Sequence, residues 1–140
     1  MDGTKYLPLL GRVLIGLPFV MSGLGKLSVY GPVTAKISEA GLPLAPLGWL
    51  IAVVLEVGGG LLLVVGFRAA AAAFALAVFT LAAAVVFHHH FADQNQMIHF
   101  LKNIAIIGGL LQVAAFGAGS FSLDGRRVGA PGLTPASAAE

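Results

Sequence analysis

The chain of 140 residues contains no cysteine. That excludes a disulfide frame, a CxxC redox pair, a Cys-ligated iron–sulfur cluster and a cysteine nucleophile. Charge is scarce as well. Only 10% of residues are Asp, Glu, Lys or Arg, against roughly 25% in an ordinary soluble domain. The formal charge is +2 and the pI near 9.3, but no basic patch alternates with aromatics, so no nucleic-acid partner is expected. The apolar stretches hold no His in their cores, and bis-histidine haem ligation deep in a bundle is therefore not encoded. What is present in abundance is apolar surface: 58% of the residues are hydrophobic. At single-domain length this leaves no room for a sizeable water-facing module. The composition describes an integral membrane protein whose first partner is the lipid bilayer.

Four stretches are long enough to cross a bilayer core as helices, at 6–24, 47–65, 69–87 and 98–118, since about twenty apolar residues suffice. The expected architecture is all-α, a transmembrane four-helix bundle occupying residues 1–127. The first stretch could be read as a cleaved signal peptide, but Arg12 lies inside its apolar run and no A-x-A-like site follows. Val65-Gly66-Phe67-Arg68 is a tight turn that makes the second and third spans an antiparallel hairpin. The loop 28–46 has turn signals at Gly31-Pro32 and Gly41-Leu42-Pro43, and between them VTAKISEA suggests an amphipathic helix on the membrane surface. Residues 88–97 form the other loop on that side, with Asp93-Gln94-Asn95-Gln96 as its polar part. Both termini then share one side with Arg68, Arg126 and Arg127, and the small Lys/Arg excess there points to the cytoplasm. The tail 128–140, rich in Ala, Pro, Gly and Ser, reads as disordered.

Glu56 is the only charge between Leu47 and Phe67. A charge at the centre of a spanning helix costs roughly 2.5–3.5 kcal/mol even on insertion scales, so Glu56 should face protein or water and have a partner. With the helix ends set level, Arg12 lies roughly 9 Å and Glu56 roughly 15 Å from the same membrane face, within reach of a guanidinium. An Arg12–Glu56 pair is therefore permitted. Arg12, Gly16, Phe19, Gly23 and Lys26 share one stripe of the first span. Gly59 and Gly60 beside Glu56 also allow close helix approach. Lys26, His88, His99 and Lys102 fall near the opposite membrane surface. The bundle is expected to carry one polar seam, with Glu56 and Arg12 inside and basic groups at its mouth. For each of these groups a purely structural account stands beside the functional one: a register-fixing pair for Glu56, snorkelling for Arg12, Lys26 and Lys102. Consecutive helical residues point about 100° apart, so His88, His89 and His90 do not converge on one ion, and no metal site is assigned.

These residues also carry a resemblance. GRVLIGLPFVMSGLGKL in the first span, GLPLAPLGWLIAVVLEVGGGLLLVVGF around Glu56 and GAGSFSLDGRR at the end together resemble the DoxX family of small four-helix membrane proteins. The resemblance implies a four-helix inner-membrane bundle, associated in some relatives with thiosulfate:quinone oxidoreductase and in others with membrane redox and oxidative-stress complexes. On that basis the chain is expected to be a multi-pass inner-membrane subunit or accessory of an oxidoreductase that contacts quinone. Glu56 would handle protons, and Arg12, Lys26, His88 and Lys102 would line the binding region. Lacking a redox centre of its own, the chain would take electrons from bound quinone, bound flavin or a soluble or membrane partner. The alternative is a non-catalytic scaffold or assembly factor, in which the same charges fix helix packing; homo-oligomers fit either reading. A small transporter is a weaker reading, because four helices offer little room for alternating access.

Overall fold

The computed structural model describes residues 3–128. Residues 129–140, nearly all of the stretch expected to be disordered, lie outside the described residues. A 3-10 turn at Gly3–Tyr6 leads into α1 (Leu7–Ser28), followed by the short α2 (Tyr30–Glu39). α3 spans Ala45–Val65 and α4 Ala69–Phe87, α5 runs over Gln94–Phe116, and α6 (Leu123–Val128) closes the described chain. α1 with its leading turn, α3, α4 and α5 are all long and apolar enough to cross a membrane. The protein is an all-α, multi-pass four-helix bundle, and no strand occurs among the described residues.

The expected third span agrees with α4 residue for residue, because left-handed Arg68 and the break at His88 end it sharply. The other boundaries differ for local reasons. Pro32 does not mark a turn: the chain breaks at Val29, and Pro32 sits in the first turn of α2, where a missing N–H leaves no bond unmade. α5 begins at Gln94 rather than near residue 98 because Asp93 is its N-cap, its carboxylate accepting from the N–H groups of Asn95 and Gln96. His99 and Lys102 consequently lie a turn or more inside a helix, and the loop shrinks to residues 88–93.

Close approach between α1 and α3 depends on glycine. A methyl added at Gly16 would sit 2.9 Å from the Gly60 carbonyl oxygen, and one added at Gly60 would sit 2.9 Å from that of Gly16. Small residues at such crossings let the backbones meet, which supplies the van der Waals contact that holds membrane helices together. The solid core consists of Leu63, Ala72, Ala73, Leu76, Ala77 and Leu110, with Ile15, Phe19, Ile106 and Ile107 packed against it. It fills the half of the bundle nearest the α3–α4 turn. The other half, beside α2 and the α4–α5 loop, is not filled.

Candidate functional site

Glu56 lies on a π-helical turn, Val54–Gly59, that interrupts the α-helical run of α3. The wider turn adds a residue to the helix circumference, a local feature found frequently at functional sites. Glu56 is 6% exposed. Its partner is Lys26, whose Nζ donates to Oε1 at 2.9 Å and to Oε2 at 2.7 Å. The third ammonium hydrogen reaches Ser22 Oγ at 2.8 Å, so every donor on this lysine is used. Lys26 stands at the end of α1 but leans back toward the helix start, as helical side chains do, and this carries its charge down to the level of Ser22. The Lys26 carbonyl in turn accepts from Trp49 Nε1 at 3.0 Å, which ties the start of α3 to the end of α1.

The sequence permitted a different pair, Arg12 with Glu56, and the structure does not form it. Helix register explains why. Gly16 lies against Gly60 and Gly23 against Glu56 and Val57, so Arg12 stands level with Gly66, beyond the last turn of α3. Setting the helix ends level had placed Arg12 too far in.

Arg12 serves the opposite end of the bundle. It is fully buried, and its guanidinium donates to the carbonyls of Leu63 at 2.8 Å, Val64 at 3.1 Å and Phe121 at 2.6 Å. Two of these are carbonyls of the last turn of α3, where cations are favoured; that of Leu63 also accepts from the Gly66 N–H at 3.2 Å. The third holds the segment before α6. There Asp124 reaches across the chain to cap α4, its carboxylate accepting from the Arg68 and Ala69 N–H groups, both at 2.9 Å. The Asp124 N–H donates to the Gly66 carbonyl at 2.9 Å. The Ala69 hydrogen bond is the main reason the Asp124 carboxyl lies below the usual carboxylate range; Arg68 N–H, Arg127 and Arg12 add to the effect, and desolvation opposes it. Gly66 allows the turn, with φ of 70°. Arg68 adopts φ of 46° without that freedom, at a cost of about 1–2 kcal/mol.

Beside the Lys26–Glu56 pair the bundle has a partly open cavity of about 850 Å³, within the range of sites for small organic ligands. Its walls are mainly apolar, from α1, α2, α3 and α4. Polar groups enter at few points: Ser22, Lys26 and Glu56 on one side, Lys36 from α2, and His88 and Asn103 toward the α4–α5 loop. Of the five residues singled out in the sequence, Glu56, Lys26 and His88 meet in this cavity. Arg12 lies at the other end. Lys102 is exposed and contacts His99 Nδ1 at 3.2 Å rather than the cavity. Sequence reading missed Ser22, Lys36 and Trp49. Ser22 had a usable signal, since it precedes Lys26 by one helical turn. The cavity role of Lys36 follows from how α2 folds over, which periodicity does not encode.

His88 ends α4 and is half-buried. Its Nδ1 donates to Gln96 Oε1 at 3.1 Å, and its ring stacks on His99 with centroids 5.1 Å apart. His89 turns back to the Val86 carbonyl and packs against His90. The three consecutive histidines thus diverge.

Fold and site together define a small multi-pass membrane bundle, locked by arginine at one end and hollow around a buried ion pair at the other. Residues 7–89, from the start of α1 to just past α4, match the DoxX family, and the chain belongs to that family. It is 36% identical over 118 residues to the inner membrane protein YqjF of Escherichia coli (strain K12), an alignment covering 83% of this chain and 88% of the relative. No solved structure matches. α5 and the Asp124 exit lie outside the family match, whereas Lys26, Glu56 and His88 lie inside it.

Proposed function

We propose that this protein resides in the inner membrane with its termini on the cytoplasmic side. There it binds a lipid-soluble quinone in the cavity at Glu56, as the membrane subunit or accessory of an oxidoreductase. The observation that carries the reading is a buried, paired carboxylate on the wall of a mainly apolar cavity of about 850 Å³. An apolar ring and the first part of its tail fit such walls, and ligand orientation in such sites rests on a few polar groups. Reducing a quinone to its quinol takes two electrons and two protons. Glu56 and Lys26 are placed to hold a proton or donate a hydrogen bond at a carbonyl oxygen; the electrons come from a redox partner, soluble or membrane-bound. The low-dielectric surroundings strengthen each of these contacts.

One observation favours a second reading, a non-catalytic scaffold. All three donors of Lys26 are already used within the chain, as in a pair whose task is to fix register. Glu56→Gln and Glu56→Ala separate the two. Both are compared with wild type for folded yield in detergent, for co-extracted quinone and for quinone reduction with membranes of the source cell. The quinone reading expects Glu56→Gln to fold and to lose most of the activity. Normal folding with unchanged quinone content and activity would leave the scaffold reading standing alone.

A further inference from the structure

We propose that His88 is the proton-exchanging hydrogen-bond donor of this cavity, on whose wall the Lys26–Glu56 pair also lies. The proposal rests on the reading above that the ligand carries a hydrogen-bond-accepting carbonyl, and it assigns the group that meets it.

The argument begins with the hydrogen bonds. Gln96 Oε1 can only accept, so His88 carries a hydrogen on Nδ1. Its exchangeable position is then Nε2, which has no hydrogen-bond partner among the described residues, while the residue itself lines the cavity. Which nitrogen of a histidine is free is set by the bond the other makes, and imidazole is the side chain that changes charge between about pH 5 and pH 8. Glu56 and Lys26 must give up part of their mutual bonding to meet a ligand, whereas His88 Nε2 has no bond to give up.

The charged and titratable neighbours of His88 are few. On α5 they are His99, stacked on its ring, and Lys102, which donates to His99 Nδ1. From α2 comes Lys36, also on the cavity wall and 5.9 Å from the Phe87 ring centre. Lys26 and Glu56 share the cavity wall, and His89 and His90 follow along the chain. Apart from the paired Glu56, no carboxylate among the described residues lines the cavity. A proton on His88 is therefore not neutralised by an adjacent acid. It is stabilised when a ligand oxygen accepts from Nε2, and binding that ligand should take up a proton.

Trp49 is the chain's only tryptophan, and its indole is bonded to the backbone of Lys26, so its fluorescence reports on the cavity. The full chain in lipid nanodiscs is titrated with a short-tailed benzoquinone from about pH 5.5 to about pH 8, spanning the ordinary histidine range. Wild type should bind about tenfold more tightly at the acid end, the size of one charge-assisted hydrogen bond. His88→Gln should bind with the wild type's weak alkaline affinity at every pH, while His90→Gln should keep the full pH dependence. A pH-independent wild-type affinity, or an undiminished pH dependence in His88→Gln, overturns the assignment while leaving quinone binding intact. Absence of saturable binding at any pH overturns the quinone reading itself. Should His88→Gln not fold, nitrogen-15 imidazole spectra of wild type decide: the quinone must raise the protonated fraction of one imidazole near neutral pH, and four unmoved imidazoles overturn the proposal.

Discussion

At the α3–α4 turn, a buried arginine and a trans-acting aspartate bond only to backbone. At the α4–α5 loop, a lysine and a glutamate bond to each other beside empty space. Both ends bury charge in a chain that has very little of it. At the first end the guanidinium donates to carbonyls of the last turn of α3, and the solid core begins immediately beside it. At the second, the charges neutralise one another and no core packs around them. The terminal nitrogens of Arg12 are given to the backbone, and only its Nε lacks a partner among the described residues. A buried pair on a cavity wall can exchange part of its bonding with a ligand.

Substitutions at each end bear directly on that contrast. Arg12→Leu should have the largest effect, because it removes the side-chain donors to three carbonyls, of which Leu63 keeps only its bond from the Gly66 N–H; a loss of about 3–5 kcal/mol is expected, read as a collapse of folded yield and a lowered thermal midpoint. Arg12→Lys should recover only part of it, since an ammonium cannot reproduce the planar fork. Lys26→Met should cost about 3 kcal/mol by leaving Glu56 unpaired, and adding Glu56→Leu to it should restore much of the loss; a double variant no better than the single would show that the pair's energy lies elsewhere. Gly60→Ala should cost about 1–3 kcal/mol, because the methyl meets the Gly16 carbonyl and both helices must move apart.

Asp124→Asn should be the mildest, at most about 1 kcal/mol as a weakened cap. Its signature is in pH. The Asp124 carboxyl is lowered in the folded chain, so its stabilisation is full above the ordinary carboxylate value of about 3.9 and is lost as pH falls toward the lowered folded value. Acid melting of wild type below about pH 4 should therefore be steeper than that of Asp124→Asn, and equal slopes would contradict the cap.

Hydropathy made the four spans legible, and it made α4 legible to the residue because Arg68 and His88 bound it. The cost of burying Glu56 made its need for a partner legible too. The identity of the partner was not, because it depends on helix register. Register here follows from the Gly16–Gly60 contact and from the π-helical turn at Glu56, neither of which has a periodic signature in a helix that is apolar all round. The start of α5 was missed for a different reason: Asp93-Gln94-Asn95-Gln96 is as polar as a loop, and only the bonds from Asn95 and Gln96 to the Asp93 carboxylate reveal a cap. The cavity was beyond sequence reading, since filled and hollow bundles share one hydropathy profile.

The central claim, that the Lys26–Glu56 end is a ligand site and the Arg12 end a lock, is tested most directly by filling the cavity without touching a charge. Ala83 lines the cavity from α4, and Ala83→Phe should occupy it. Titrating a short-tailed benzoquinone against Trp49 fluorescence in nanodiscs should give saturable quenching in wild type. In Ala83→Phe the affinity should fall by at least about tenfold, with the melting midpoint held. Quenching that rises linearly without saturation, and equally in both proteins, would contradict the account.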